Sequence, residues 1–500
     1  MAGGTAIEAM VAAAATIAVV YPHMNGLGGD AFWLIKRKGG TPVTILGGGR
    51  AAALATPDWY RARGHTTIPA RGGEAALVVP GAIASWQKAL DLLPGAARLP
   101  LDVLLADALC YARDGFAITC NQAAATSAKA GELANVPGFA DVFMPGGRVP
   151  DRGARLRQPA LAGTIEQLIR YGLDAFYRGA LADALALTLE AAGSSLRFQD
   201  LSAFEAQYAA PFAVQTSAGT LYNTGPPTQG VASLMILAIF DRLDVARGEG
   251  FDHVHGLVEA TKQAYRLRNT WLADPDFMAQ PASAWLNEAR IDALAAAIDR
   301  KQALPWPEDS RPGDTIWMGA ADKDGTVVSF IQSVFWEFGS GVTCPETGIV
   351  FENRGAGFTL LPGPNQLAPG KRPFHTLNPA LAELADGRVI AYGAMGGDGQ
   401  PQTQSALFTR HVQFGQGLQQ AVTAPRWLLG TSWGAASTTL KLEGRFDPDL
   451  VRALADAGHD VEIVADFSDA MGHAGAVVLH PDGLIEGAGD PRSDGAAIAF

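Results

Sequence analysis

The chain has 500 residues, 48% of them hydrophobic and 18% charged, a composition that supports a large packed core and excludes a mainly disordered chain. With 50 acidic and 38 basic residues the net charge is -12, which argues against nucleic acid as a main partner, because phosphate contacts need clustered Lys and Arg. Cys110, Cys120 and Cys344 show neither a disulfide framework nor zinc-ligand spacing, so a reducing cytoplasm and no structural metal are expected.

The Ala-rich residues 6–20 read as a helix. Their apolar run, Ala9 to Val20, is too short to span a bilayer and lacks the basic flank of a secretory signal, the first basic residue being Lys36. Ala31–Ile35 and Thr44–Leu46 read as short buried strands, and Ala160–Tyr171 and Leu181–Ala192 as amphipathic helices. Beyond Pro312 the texture changes to strand-like runs at Thr326–Gln332, Gly348–Phe351, Val389–Gly393 and Ala474–Leu479, separated by Gly-rich turns. There is no linker, repeat or low-complexity tract, so residues 305–315 mark the one boundary in an otherwise continuous fold.

At that boundary a Pro-rich stretch from Pro305 ends in Gly313 and Asp314, and a strand begins at Thr315. Taken alone this is a loop, an Asx turn and a strand-initiating threonine. Its neighbours change the reading. Thr315 followed by Asp322-Lys-Asp-Gly325, Phe338-Gly-Ser-Gly341 and Glu346-Thr-Gly-Ile349 resembles the start of the small subunit in the γ-glutamyltransferase family of N-terminal-nucleophile hydrolases. The resemblance runs the length of the chain: Gly3-Gly4-Thr-Ala-Ile-Glu-Ala, Tyr21-Pro-His-Met-Asn-Gly-Leu-Gly-Gly29, Val79-Pro-Gly81, Ala112-Arg-Asp-Gly-Phe116, Val258-Glu-Ala-Thr-Lys262, Lys371-Arg-Pro373 and Asp490-Pro-Arg-Ser-Asp-Gly495 fall in the family's order. The family carries a further strand and helix before the first Gly-Gly pair, which implies that this chain begins late.

The resemblance implies an α+β fold, a four-layer αββα sandwich in which two chain fragments share one core: 1–314 as the large fragment and 315–500 as the small, catalytic one. It also implies a proenzyme that cleaves itself between Asp314 and Thr315. The chemistry is sound in itself, since a threonine hydroxyl needs a base and the α-amine freed by cleavage, with a pKa of about 7.7–8.0, sits on the same residue. Gly396-Gly397 match the glycine pair whose N–H groups form the family's oxyanion hole. Ser333 matches a threonine that orients the nucleophile. Arg50 matches the arginine that grips the substrate carboxylate. His375-Thr376 stand where a Ser-Ser pair holds that carboxylate, and Arg354 offers a second positive charge. Ile316 and Trp317 depart from the family's threonine and histidine.

In γ-glutamyl enzymes an acidic residue and an asparagine hold the substrate's α-ammonium, and the matching positions here are Gly357 and Phe335. A buried ammonium without an anionic partner is costly. The site therefore suits a substrate with a carboxylate and no amine, with Trp317, Phe335 and Trp336 filling the spare volume or packing the sheet edge. The runs Pro226-Pro-Thr-Gln-Gly230, Arg372-Pro-Phe-His-Thr-Leu-Asn-Pro379 and Met395-Gly-Gly-Asp-Gly-Gln-Pro-Gln402 look most like the oxamate amidohydrolase branch. That implies hydrolysis of oxamate to oxalate and ammonia through a threonine ester, with no cofactor or metal. Two alternatives stay open: a γ-glutamyltransferase, glutathione hydrolase or side-chain acylase, and a non-catalytic homologue. The partners implied are a small-molecule substrate and the chain's own two fragments, as a heterodimer or a dimer of heterodimers, with no nucleic acid or membrane.

Overall fold

The computed structural model describes residues 3–95, 98–308, 313–432 and 437–499; residues 309–312 of the Pro-rich approach to Thr315 lie outside them. Two antiparallel sheets stack face to face, with helices covering both outer faces. Across the first sheet the strands run Gln207–Ala209, Val43–Gly47, Asp30–Lys36, Val327–Phe335 and Asp314–Ala321. Across the second they run Ile485–Gly489, Ala474–Leu479, Val389–Ala394, Ala380–Leu384, Gly219–Asn223 and Phe212–Thr216. The fold is thus the four-layer αββα sandwich. Its first sheet interleaves chain from both sides of residue 314, Asp30 pairing with Ser333 and Lys36 with Val327.

Alternation along each strand sends side chains to different layers. Phe32 and Leu34 point between the sheets with Ile331, Leu377, Leu381 and Ala391, whereas Trp33 and Ile35 join the outer core under the Ala6–Val20 helix. With both faces covered, every residue of Val327–Phe335 is buried, Ser329, Gln332 and Ser333 included. The first helix begins on a reciprocal cap: Thr5 N donates to Glu8 Oε2 at 2.8 Å, and Glu8 N donates to Thr5 Oγ1 at 3.3 Å. On the far side Gly230–Asp241, nearly all buried, packs between the second sheet and the Phe251–Trp271 helix.

One expectation needs correcting, and one choice left open is decided. Gly348–Phe351 forms no strand: its residues make single bridges to different neighbours, Val350 to Thr343 and Phe351 to Gly28, so no ladder develops. Trp317 does not fill a pocket. It donates from Nε1 to Ser329 Oγ at 3.0 Å, and its indole lies on the backbone of the opposite sheet, where a Cβ at Gly393 would stand 2.1 Å from it and one at Gly475 2.6 Å. The bulk near Thr315 is a spacer between layers, and the glycines make room for it.

Candidate active site around Thr315

Thr315 sits in a β-bulge. Asp314 pairs with Phe335 and Ile316 with Gln332, so the register shifts at Thr315; bulges of this kind re-aim a side chain. Phe335 takes a left-handed φ of 82°, uncommon for a bulky residue, at the opposite side of the same bulge. The result is a convergence on one carbonyl. Thr315 Oγ1 and Ser333 Oγ both donate to the Asp314 carbonyl oxygen, each at 2.5 Å, and Ser333 Oγ accepts from Phe335 N at 2.8 Å. Ser333 therefore acts on the Asp314 carbonyl, and no contact of its hydroxyl with the Thr315 hydroxyl is needed for that.

The glycine pair belongs to the same site. Gly396 and Gly397 have φ values of 119° and 49°, both in the region that favours glycine. A Cβ on Gly313 would meet Gly397 Cα at 3.3 Å, Thr376 Oγ1 at 3.3 Å and the Phe335 ring at 3.4 Å. The residue before the Asp314–Thr315 bond thus lies among the glycine turn, Thr376 and Phe335.

Behind Phe335 is a buried ionic cluster. Arg354 is fully buried, donates from Nε to Asp30 Oδ2 at 2.9 Å, and stacks its guanidinium 4.2 Å from the Phe335 ring centre. Its NH1 lies 3.5 Å from Thr376 Oγ1, and NH2 has no hydrogen-bond partner among the described residues. His375 is buried with Nδ1 3.7 Å from Asp30 Oδ2, and among the described residues neither ring nitrogen is hydrogen-bonded. Burial pushes the imidazole down to about 3, against the pull of Asp30, so it is neutral. Burial alone would raise the Asp30 carboxyl, but the hydrogen bond from Glu352 and the charge and hydrogen bond of Arg354 outweigh it and hold it below the usual range. The adjacent Glu352 goes the other way: burial and the Asp30 charge push it well above its usual value, so it stays protonated. Gly48 permits this arrangement, since a Cβ there would stand 2.9 Å from His375 Nε2 and 2.7 Å from the Phe32 ring.

Arg50 stands apart from this group. It is partly exposed, donates to the Gly370 carbonyl at 2.8 Å and lies 4.0 Å from Asp274. Gly357 adjoins the Phe374 carbonyl, 3.2 Å from where its Cβ would be, and Trp336 lies at the rim with Arg71 over its ring.

Several residues of the site carried no assigned role in the sequence. Gln229 donates from Nε2 to the carbonyls of both Thr376, at 2.7 Å, and Gly397, at 2.8 Å. Its Oε1 accepts from Arg268 at 2.7 Å, and Arg268 grips Asp398 with two bonds of 3.0 and 2.9 Å. Tyr265 donates to the Asp398 carbonyl. Gln229 and Asp398 fall inside the runs that carry the resemblance, whereas Asp30 follows Gly28-Gly29 and had no motif of its own. Elsewhere, His255, Glu259 and His459 bring possible metal-ligating atoms within 4.8 Å of one another. They are already paired: His255 with His459 at 2.9 Å and with the Asp299 carbonyl at 2.8 Å, and Glu259 with Lys262 at 2.7 Å.

The gamma-glutamyltranspeptidase family model matches residues 1–500. The chain is 53% identical to an oxamate amidohydrolase proenzyme of Klebsiella pneumoniae subsp. pneumoniae, covering 100% of this chain and 94% of that protein. It is 39% identical to a glutathione hydrolase-like YwrD proenzyme of Bacillus subtilis, again over 100% and 94%. The crystal structure of a cephalosporin acylase from Bacillus halodurans superposes with a TM-score of 0.92 at 32% identity, covering 100% of this chain and 92% of that one. The chain belongs to the gamma-glutamyltranspeptidase family of amide hydrolases.

Proposed function

We propose that the chain is a proenzyme that cleaves itself between Asp314 and Thr315 and then hydrolyses a small carboxylate-bearing amide such as oxamate. The observation that carries the first half is the convergence of the Thr315 and Ser333 hydroxyls on the Asp314 carbonyl oxygen. Thr315 Oγ1 adds to that carbonyl carbon, the C–N bond breaks to give an ester and a free α-amine, and water releases residues 1–314. The amine then serves as the base for the hydroxyl of its own residue. With substrate, Oγ1 adds to the amide carbon, Gly396 and Gly397 offer donors to the developing oxyanion, ammonia leaves, and water cleaves the oxalyl ester to oxalate.

The substrate assignment rests on where positive charge lies. In oxamate the carboxylate is bonded to the scissile carbon, so its partner must stand within about one residue of the bond that Thr315 attacks. Arg354 contacts Phe335 and Thr376, the two side chains that also border Gly313, one residue from that bond. Arg50 would have to leave Gly370 to add a second cation. An α-ammonium finds little to bind, because Asp30 is matched by Arg354 and Glu352 is protonated. The alternative, a γ-glutamyl hydrolase, draws on the glutathione hydrolase-like relative. Comparing ammonia release from oxamate with p-nitroaniline release from γ-glutamyl-p-nitroanilide tests the choice. The mature protein is expected to favour oxamate by at least about 10² in kcat/KM, and preference for the anilide would replace this reading with the γ-glutamyl one.

A further inference from the structure

Self-cleavage requires more than a nucleophile and an oxyanion donor. The nitrogen of Thr315 leaves as an amine, and an amide nitrogen leaves only if it is protonated as the C–N bond breaks. Around the bond, Thr315 Oγ1 and Ser333 Oγ are committed to the carbonyl oxygen. On the nitrogen side, among the described residues, stands the carboxyl of Asp314 itself: Thr315 N donates to its Oδ1 at 3.2 Å, and the whole residue is buried.

Resting on the self-cleavage reading, we infer that the Asp314 side chain is the general acid of maturation, delivering a proton to the Thr315 nitrogen. As Oγ1 bonds to the carbonyl carbon, that carbon becomes tetrahedral and the nitrogen pyramidalises, gaining a lone pair beside the carboxyl. The C–N bond breaks while one carboxyl oxygen gives up its proton to nitrogen. The Oγ1 proton passes along its hydrogen bond to the carbonyl oxygen as charge develops there, and from that oxygen to the carboxylate as the C=O bond re-forms, so the net change is one hydroxyl proton moved to the amine. Water then hydrolyses the Asp314 ester, and the acid departs from the nucleophile with the large fragment. Asp314 would thus act once in the life of each molecule and take no part in turnover.

The surroundings keep this carboxyl in the form an acid needs. Burial raises it well above its usual value, the Glu337 and Asp469 carboxylates raise it further, and the bond from Thr315 N and the Lys129 ammonium oppose them without prevailing. Tyr21 faces it as well, and its own hydroxyl is pushed up by burial and by the charges of Asp494, Asp314 and Asp469. An acid acts while protonated, so maturation should be fastest at low pH and slow as pH rises through the Asp314 value. A base in the same place would give the opposite slope.

The test follows the full chain made by cell-free translation, sampled over time on denaturing gels at pH 5 to 9. The expected result is a maturation rate that is level at the acid end and falls toward the alkaline end. Asp314→Asn, which keeps the shape and cannot give up a proton, should slow maturation by about 10² or more and flatten the pH profile, with Asp314→Glu partly restoring both. Its matured fraction should hydrolyse substrate with unchanged kcat. A wild-type rate that rises with pH, or an Asn variant maturing at the wild-type rate with the wild-type profile, overturns the inference. Thr315→Ala separates the two levels: if it is cut, self-cleavage by Thr315 is wrong; if it stays whole while Asn behaves as wild type, only the acid is wrong. The wild-type profile decides the matter even where a variant fails to fold.

Discussion

At the scale of single residues the site is a set of close approaches around one carbonyl, with a buried cation behind it. Arg354 is the informative residue. Its guanidinium is buried, holds Asp30 through Nε and leaves NH2 without a partner among the described residues, so one edge of the fork is available to an anion. Replacing it with an apolar residue would leave Asp30 buried and unmatched, at a cost of about 3–5 kcal/mol, and would confound activity with folding. Arg354→Lys keeps the charge and loses the planar fork. We expect KM for oxamate to rise about tenfold or more with a smaller change in kcat, in step with the loss of one charge-assisted hydrogen bond, about 1.5–3 kcal/mol; steady-state kinetics on protein with an unchanged melting temperature checks it. Thr315 and the Gly396-Gly397 pair were legible in the sequence because local motifs mark them. Arg354's partner was not: Asp30 lies 324 positions away, and only the pairing of strands brings them together.

At the scale of elements, the glycine turn after Val389–Ala394 is held by the Gly230–Asp241 and Phe251–Trp271 helices. Gln229, at the start of the first, ties the Thr376 and Gly397 carbonyls together, and Arg268, on the second, fixes both Gln229 and Asp398. Donors that serve a transition state must not need rearrangement when charge develops, and under the proposed mechanism this brace would supply that rigidity. Gln229→Leu should lower kcat about tenfold or more with a lesser effect on KM, the split expected of a positioning residue. It should also lower stability by about 1–3 kcal/mol by leaving Arg268 short of an acceptor, which thermal melts would read. The sequence held Gln229 and Asp398 within runs of the resemblance yet could not assign the brace, because a glutamine's partners depend on which two loops meet at its side chain. The Ala6–Val20 helix and the Asp30–Lys36, Val389–Ala394 and Ala474–Leu479 strands were readable from periodicity; the bridges of Gly348–Phe351 and the fate of Trp317 were not, since the spacer depends on Gly393 and Gly475 of the other sheet.

At the scale of the molecule, the first sheet pairs Asp30–Lys36 with Val327–Phe335, so fragments ending and beginning at the proposed cleavage point would share a core. The same core stores a response to acid. His23, His253, His375 and His459 are pushed down to about 3 and His473 to about 4, in each case mainly by burial. Each stays neutral in the fold while its unfolded counterpart protonates below about 6.5, so the stability it contributes is present above that pH and is lost as pH falls toward 3. The raised carboxyls of Asp314 and Glu352 act oppositely, since the fold keeps them neutral where the unfolded chain ionises, and they recover stability on acidification. The lowered carboxyls of Asp30, Glu249 and Asp490 also lose stability as pH falls, so the balance favours net loss. Urea midpoints measured from pH 7 down to pH 4 should fall, and a flat or rising series would contradict this.

The central claim is that Thr315 becomes an amino-terminal nucleophile by cleaving the bond before it. The intact masses of the purified wild-type protein and of Thr315→Ala, taken under denaturing conditions, test it most directly. The wild type should separate into fragments of 314 and 186 residues, the smaller beginning at Thr315, and the variant should remain one chain without activity. A variant that yields the same two fragments, or an active wild type that stays in one piece, would contradict the claim.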